Sequence, residues 1–208
     1  MEAVFLIAIL IMSVVIHEVA HGYAAYMQGD PTAKYQGRLT LNPLPHLDMI
    51  GSIIVPLLFF LTPGNLMLGW AKPVPYNPFN FRNQRWGELI VAIVGPAVNI
   101  VIALIFGLFL RFAIPAGIVP TAAVSIISFI VLINLVLALF NMVPIPPLDG
   151  SKVLFALLPQ RYIRIRHTLE QYGFILVLLF VFLFISQISG VVLFLFEQIT
   201  GLSGVIGS

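Results

Sequence analysis

The sequence predicts an all-α, polytopic membrane protein. It has about four to six transmembrane helices and one membrane-associated extended or β segment, re-entering between the first and second core helices. Three observations carry this reading. Sixty per cent of the 208 residues are hydrophobic and only 9% are charged, whereas a soluble domain is closer to about 25% charged. The charges are also segregated: from Phe112 to Leu148 there is none. Finally, the apolar runs reach the roughly 20 residues that a helix needs to cross the hydrocarbon core. The length permits one domain, 1–208, with a core over 3–159 and C-terminal helices over 168–204.

The first span covers Ala3 to Met27, and Gly29, Asp30 and Pro31 end it. It has no basic n-region and no small-residue cleavage site, so it reads as a span rather than a cleaved signal peptide. The polar stretch "QGDPTAKYQGRLTLNPLPHLD" has the alternation and prolines of extended chain. In 49–70 the apolar core is short and broken by Pro56, Pro63 and Gly64, the pattern of a re-entrant segment. "AKPVPYNPFNFRNQRWG" (71–87) is a basic, proline-rich interfacial loop, with Trp70, Tyr76 and Trp86 as headgroup-level anchors. Leu89 to Leu110 is an uncharged span between Glu88 and Arg111, and Pro115, Gly117 and Pro120 make a tight turn after it. Thr121 to Asn141 is the next span. Gln171 to Phe196 is one long span or two short ones, divided at Ser186 to Gly190.

Lys and Arg set the orientation. With 49–70 re-entrant, Lys34, Arg38, Lys72, Arg82, Arg85, Lys152, Arg161, Arg164 and Arg166 share one side, and Arg111 lies opposite. This predicts a multi-pass protein of the cell membrane, N-terminus outside, with its polar segments in the cytoplasm. The formal charge of +2 includes no basic run dense enough for nucleic acid, and the absence of cysteine excludes disulfides and thiolate ligands.

One feature conflicts with a purely lipid-facing first helix. "IMSVVIHEVAHGYAAYM" places His17, Glu18 and His21 in oil. A carboxylate at depth costs at least about 2.5 kcal/mol, so an intramembrane ionisable residue marks a functional site. His17-Glu18-Val19-Ala20-His21 is HExxH. Positions i and i+4 lie about 40° apart around a helix, on one face and one turn apart. Two imidazoles so placed can hold one Zn²⁺, with the glutamate near the open coordination position. A pair of satisfied core histidines is the bland alternative, but it leaves Glu18 without a partner.

A zinc hydrolase needs a third protein ligand, for which the candidates are Asp30, His46, Asp48, Glu88, Asp149, His167, Glu170 and Glu197. Asp149 differs from the others. It ends the long uncharged stretch, Pro144, Pro146 and Pro147 predict extended chain before it, and Gly150 allows a sharp turn after it. On the predicted topology, Asp149 and the HExxH pair meet in the same leaflet, and a divalent cation would offset the burial of Asp149 and Glu18. His46 and Asp48 read as interfacial residues that satisfy loop backbone, or as a gate or second ion site. Asn99 and Asn141, as amides in spans, read as interhelical glue.

"HEVAH" in a first transmembrane helix, "GPAVN" (95–99) and "NMVPIPPLDG" (141–150) resemble the site-2 protease family of intramembrane zinc metalloproteases. "LNPLPHLDMIGSIIVP" and "GWAKPVPYNP" resemble its short prokaryotic branch, which has no PDZ or regulatory domain. The resemblance runs from Ile11 to about Pro159. It implies one zinc per chain on His17, His21 and Asp149, with Glu18 as general base, and a place for Asn99 and Asn141 near the substrate carbonyl. It implies hydrolysis of peptide bonds in or near transmembrane segments of membrane proteins, within the lipid bilayer. A strand from 35–48 or 66–78 would then capture the unwound substrate by β-augmentation. The rival readings are a metal carrier using the same ligands, and a zinc protease that trims prenylated proteins with a glutamate as third ligand. The polar residues form one cluster rather than a path across the membrane, which disfavours the carrier. Glu88, Glu170 and Glu197 sit in no matching motif, which disfavours the other protease.

Overall fold

The computed structural model describes residues 2–48, 51, 71–159 and 163–202. Helix α1 runs over Glu2–Met27, α2 over Thr32–Tyr35, α3 over Gln84–Ala113, α4 over Thr121–Asn141, α5 over Asp149–Leu157 and α6 over Ile163–Thr200. Four stretches are long and apolar enough to cross a membrane: Val4–Met27, Trp86–Ala113, Thr121–Asn141 and Ile165–Thr200. Among the described residues the fold is thus a helical bundle with four candidate spans. The re-entrant reading of 49–70 falls, but for Gly51, outside the described residues.

Local chemistry explains the helix ends. Gly29 closes α1 at φ 107°, a left-handed conformation that glycine adopts without strain. The Asn83 side chain accepts from Trp86 N at 3.1 Å and so caps α3. Pro120 stands at the N-cap of α4, where a missing N–H is harmless.

Two expectations are corrected, and of the two alternatives for the last span the structure takes one. No strand occurs among the described residues. Instead of an extended ribbon, 28–48 contains α2 and a 3₁₀ turn at Leu44–His46, and it meets 71–77 through a single backbone bond, Lys72 N to His46 O at 2.8 Å. Pro73 and Pro75 have no N–H to extend that pairing into a ladder. The chain before Asp149 is a series of tight turns, with Ile145 N bonded to Val143 O and Leu148 N to Ile145 O. Asp149 then opens α5 rather than entering another turn, because Gly150 lets this helix approach closely: a Cβ there would overlap the Met142 and Val143 carbonyls. Lastly, α6 is one continuous helix of 38 residues with no division at Ser186 to Gly190.

Helix α3 is the hub, packed against α1, α4, α5 and α6. At one end of the bundle Ala24, Ala25, Phe81 and Val91 form a buried cluster with Tyr76 and Val94 against it. At the other, Ala103, Val131, Leu135, Val192 and Phe196 join α3, α4 and α6. Small residues allow the close crossings expected of membrane helices: a Cβ on Gly107 would overlap Ile199 of α6.

Candidate metal centre

The centre forms where α1, α3 and α5 meet. His17 and His21 present their rings from one face of α1, with centroids 4.6 Å apart and planes at 85°. Their Nε2 atoms are 3.0 Å apart. Asp149, in the first turn of α5, brings Oδ2 to 3.1 Å from His17 Nε2 and 3.0 Å from His21 Nε2. All three residues are buried. Gly95 makes room for them, since a Cβ there would overlap the His21 ring and lie 2.7 Å from His17 Cε1.

The outer ring nitrogens show what this triangle is for. His17 Nδ1 donates to Asn99 Oδ1 at 2.5 Å, and His21 Nδ1 donates to Val91 O at 2.6 Å. With both protons on Nδ1, each Nε2 turns a lone pair toward the other and toward Asp149 Oδ2. Three acceptors converging in a buried site repel one another unless a cation lies among them. Their separations are close to the edges of about 3.3 Å expected for ligands tetrahedrally placed 2.0–2.1 Å from a zinc ion. The residues therefore fit the metal by donor chemistry, tautomer and spacing. No other such group of three donors occurs among the described residues.

The second oxygen of Asp149 is held by Lys152, whose Nζ lies 3.0 Å from Oδ1 and 5.5 Å from the Tyr76 ring centroid. Burial opposes ionisation of Asp149. The Lys152 ammonium, 3.0 Å from Oδ1, favours the carboxylate form. Burial likewise opposes the Lys152 ammonium, and the Asp149 carboxylate more than offsets it, raising this lysine above its ordinary value. Lys152 and Tyr76 line a cleft of about 490 Å³ that also includes Glu88, Phe155 and Arg166. Arg166 of α6 reaches Glu88 of α3 at 3.6 Å and Glu170 at 2.8 Å.

Glu18 faces the 71–77 segment, which lies over α1 as a strap. Its Oε2 accepts from Val74 N at 2.8 Å. The strap is pinned on both sides. Arg38 Nη2 donates to the carbonyls of Lys72 and Pro73 at 2.7 and 3.3 Å. The buried Asp30 accepts from Asn77 N and Asn80 Nδ2, both at 2.7 Å, and from Thr32 Oγ1 at 2.6 Å. With Lys72 and Val74 N–H engaged and Pro73 and Pro75 lacking one, 72–75 offers no free donor edge to a substrate strand.

The structure brings His17, His21, Asp149 and Asn99 into direct contact. The Asn99 amide approaches from behind His17, and its Nδ2 donates to Asn134 Oδ1 at 2.7 Å. Asn141 donates to Leu137 O of its own helix at 2.9 Å. Three of the other acidic and histidine candidates are engaged elsewhere: His46 with Thr40 O at 3.0 Å, Asp48 with Gly51 N at 2.6 Å, and Glu170 with Arg166. Sequence reasoning missed Lys152 and Asn134. The first had a signal, since a lysine three residues after a helical aspartate shares its face. The second also had one, as the single amide within the apolar run 121–140.

A bundle of apolar membrane-length helices with two buried histidines and an aspartate converging, and a glutamate beside them, defines a membrane-embedded metal-dependent hydrolase. Comparison with known proteins gives the particular family. Residues 113–185 match peptidase family M50. The chain is 41% identical over 196 residues to "Putative zinc metalloprotease YwhC" of Bacillus subtilis (strain 168), covering 91% of this chain and 84% of that protein. It is 33% identical over 175 residues to Rip2 of Mycolicibacterium smegmatis, which carries the same description, covering 84% of this chain and 65% of the relative. To "Zinc metalloprotease MJ0392" of Methanocaldococcus jannaschii it is 25% identical over 157 residues, or 76% of this chain and 35% of that one. No solved structure is significantly similar. The chain belongs to peptidase family M50 and is an intramembrane zinc metalloprotease.

Proposed function

We propose that the protein hydrolyses peptide bonds in or beside the membrane-spanning segments of other membrane proteins. In this reading His17, His21 and Asp149 hold one zinc and Glu18 is the general base. The observation that carries it is the buried triangle of two Nε2 atoms and one carboxylate oxygen, with Glu18 next to His17 in the chain. Bound zinc supplies Lewis-acid chemistry, polarising the scissile carbonyl and acidifying a water. Glu18 takes that water's proton and returns it to the leaving amine. The Val74 N–H bond fixes the position of the Glu18 carboxylate. Lys152 keeps Asp149 ionised and turned toward the histidines. Asn99 orients His17, and Asn141, at the end of α4, remains the candidate donor to the substrate carbonyl.

The same reading orients the protein. Among the described residues Arg38, Lys152 and Arg166 lie at the site end of the bundle, and Arg111 lies at the other, bonded to Gln198 O. By the positive-inside rule the site end is cytoplasmic and the N-terminus is outside. Because the chain has no cysteine, Gln36→Cys and Gly117→Cys can be labelled singly. Labelling of Gln36→Cys from outside the cell would invert this topology.

The decisive experiment is Glu18→Gln. It should slow cleavage of a transmembrane substrate by about 10²- to 10⁴-fold while zinc stays bound, because the ligands are other residues. Cleavage within threefold of the parent rate would overturn the assignment of Glu18 as base.

A further inference from the structure

The tautomer of His17 is decided two helices away. Asn134 of α4 is fully buried, and its Nδ2 donates to Ile130 O at 2.8 Å and to Ser13 Oγ at 3.0 Å. Ile130 O is a backbone carbonyl and can only accept, so the amide has one workable orientation. Its Oδ1 must then face α3, where it accepts from Asn99 Nδ2 at 2.7 Å. Asn99 is thereby oriented too, and its Oδ1 faces His17 Nδ1 at 2.5 Å. A carbonyl oxygen there requires a proton on Nδ1 and leaves the lone pair on Nε2. Turning over either amide would set two donors or two acceptors face to face in a dry interior. His21 reaches the same state in one step, because its Nδ1 meets the backbone carbonyl of Val91 directly.

We infer that Asn134 is a positioning residue of the metal centre, acting through Asn99 to hold His17 in its ligating tautomer. The inference rests on His17 being a zinc ligand. Asn134 touches neither metal nor substrate, so its effect travels only through the relay. Partners that orient a metal-bound histidine typically matter by about 10- to 100-fold in metal affinity.

The test measures zinc affinity of the purified full-length chain by competition with a chelator, together with the Nδ1 proton resonance of His17 in histidine-labelled protein. The chain has only four histidines, so the spectrum is readable. Asn134→Leu keeps the bulk but not the polarity. It should weaken zinc binding by about 10- to 100-fold and move the His17 Nδ1 proton out of its hydrogen-bonded position. Asn134→Ala serves in its place if the leucine variant does not fold. Asn134→Asp, neutral when buried, can still donate to Ile130 O and accept from Asn99, so it should bind zinc within about threefold of the parent. Ser13→Ala should cost little, because Ile130 O alone orients Asn134. Ser128→Ala, on the same helix and with a buried hydroxyl that has no partner, should cost nothing. Parent-like affinity and an unmoved resonance in Asn134→Leu would overturn the relay. If His17→Ala loses zinc in the same assay, the metal assignment survives that failure; if His17→Ala keeps its zinc, both fall.

Discussion

The two ends of the bundle are held together by different forces. At the site end the contacts are directional: His17 with Asn99 and His21 with Val91 O between α1 and α3, Asp149 with Lys152 within α5, and Glu18 with the strap. At the far end, Ala103, Val131, Leu135, Val192 and Phe196 form an apolar cluster, and Arg111 reaches Gln198 O at the margin. Apolar packing between helices gains little over contact with lipid tails, so it depends on close fit. Polar contacts at depth have no solvent to fall back on, so each partner specifies the orientation of the next. The far end therefore supplies cohesion, and the site end supplies geometry.

The largest break in that contrast comes from removing a proposed ligand. Asp149→Ala should take zinc from about one per chain to near none by metal analysis, whereas His46→Ala and His167→Ala should retain it, since neither residue belongs to the triangle. A matched pair of glycines on α3 sharpens it. Gly95→Ala pushes a methyl into the His21 and His17 rings, and Gly107→Ala pushes one into Ile199. The first should lower zinc affinity by about tenfold or more, in the range seen when histidine ligands lose their orientation. The second should leave zinc affinity unchanged and lower resistance to denaturing detergent. Equal zinc loss in both would mean that the two ends are not separable.

The smallest effect is acid dependence at the strap. Burial pushes the Asp30 carboxyl up, but donors from Thr32, Asn80 and Asn77 prevail and hold it below the usual value. A group lowered on folding stabilises above its unfolded pKa of about 3.9 and loses that contribution as pH falls through the folded value. Asp30→Asn should therefore be less stable than the parent at pH 7 by about 1–3 kcal/mol. The gap should narrow below about pH 4 as the parent's carboxylate protonates. Detergent or urea titrations at the two pH values measure it; a gap independent of pH would show that the carboxylate charge is not what anchors the strap.

Much of this was readable from the chain. The spans follow from apolar length, and the His17/His21 face follows from helical spacing alone, because both are local properties. Asp149 was also legible, as an acidic residue ending a long uncharged run. The rest depends on which helix lies against which. Asn99 read as glue or as a substrate contact because nothing local says that its neighbours are His17 and Asn134. The contact of Val74 with Glu18 joins residues 56 apart, through a segment whose prolines suggested only extended chain. Ser186 to Gly190 looked like a break on composition, but a helix carries isolated polar residues when its remaining turns are strongly apolar. Ser189 bonds back to Ile185 O and keeps its hydroxyl within the helix.

The length of α6 sets a condition on the surroundings. Thirty-eight residues at 1.5 Å each make a rod of about 57 Å, nearly twice the roughly 30 Å thickness of a hydrocarbon core. Even the uncharged stretch from Gln171 to Phe196 extends about 39 Å. Such a rod must lean or locally stretch the bilayer. Its base is tied to α3 through Arg166 and Glu88, and its upper turns through Phe196 and Val192, so it cannot lean alone. Bilayer thickness thereby becomes a force on the whole bundle, with thin membranes favouring the greater tilt.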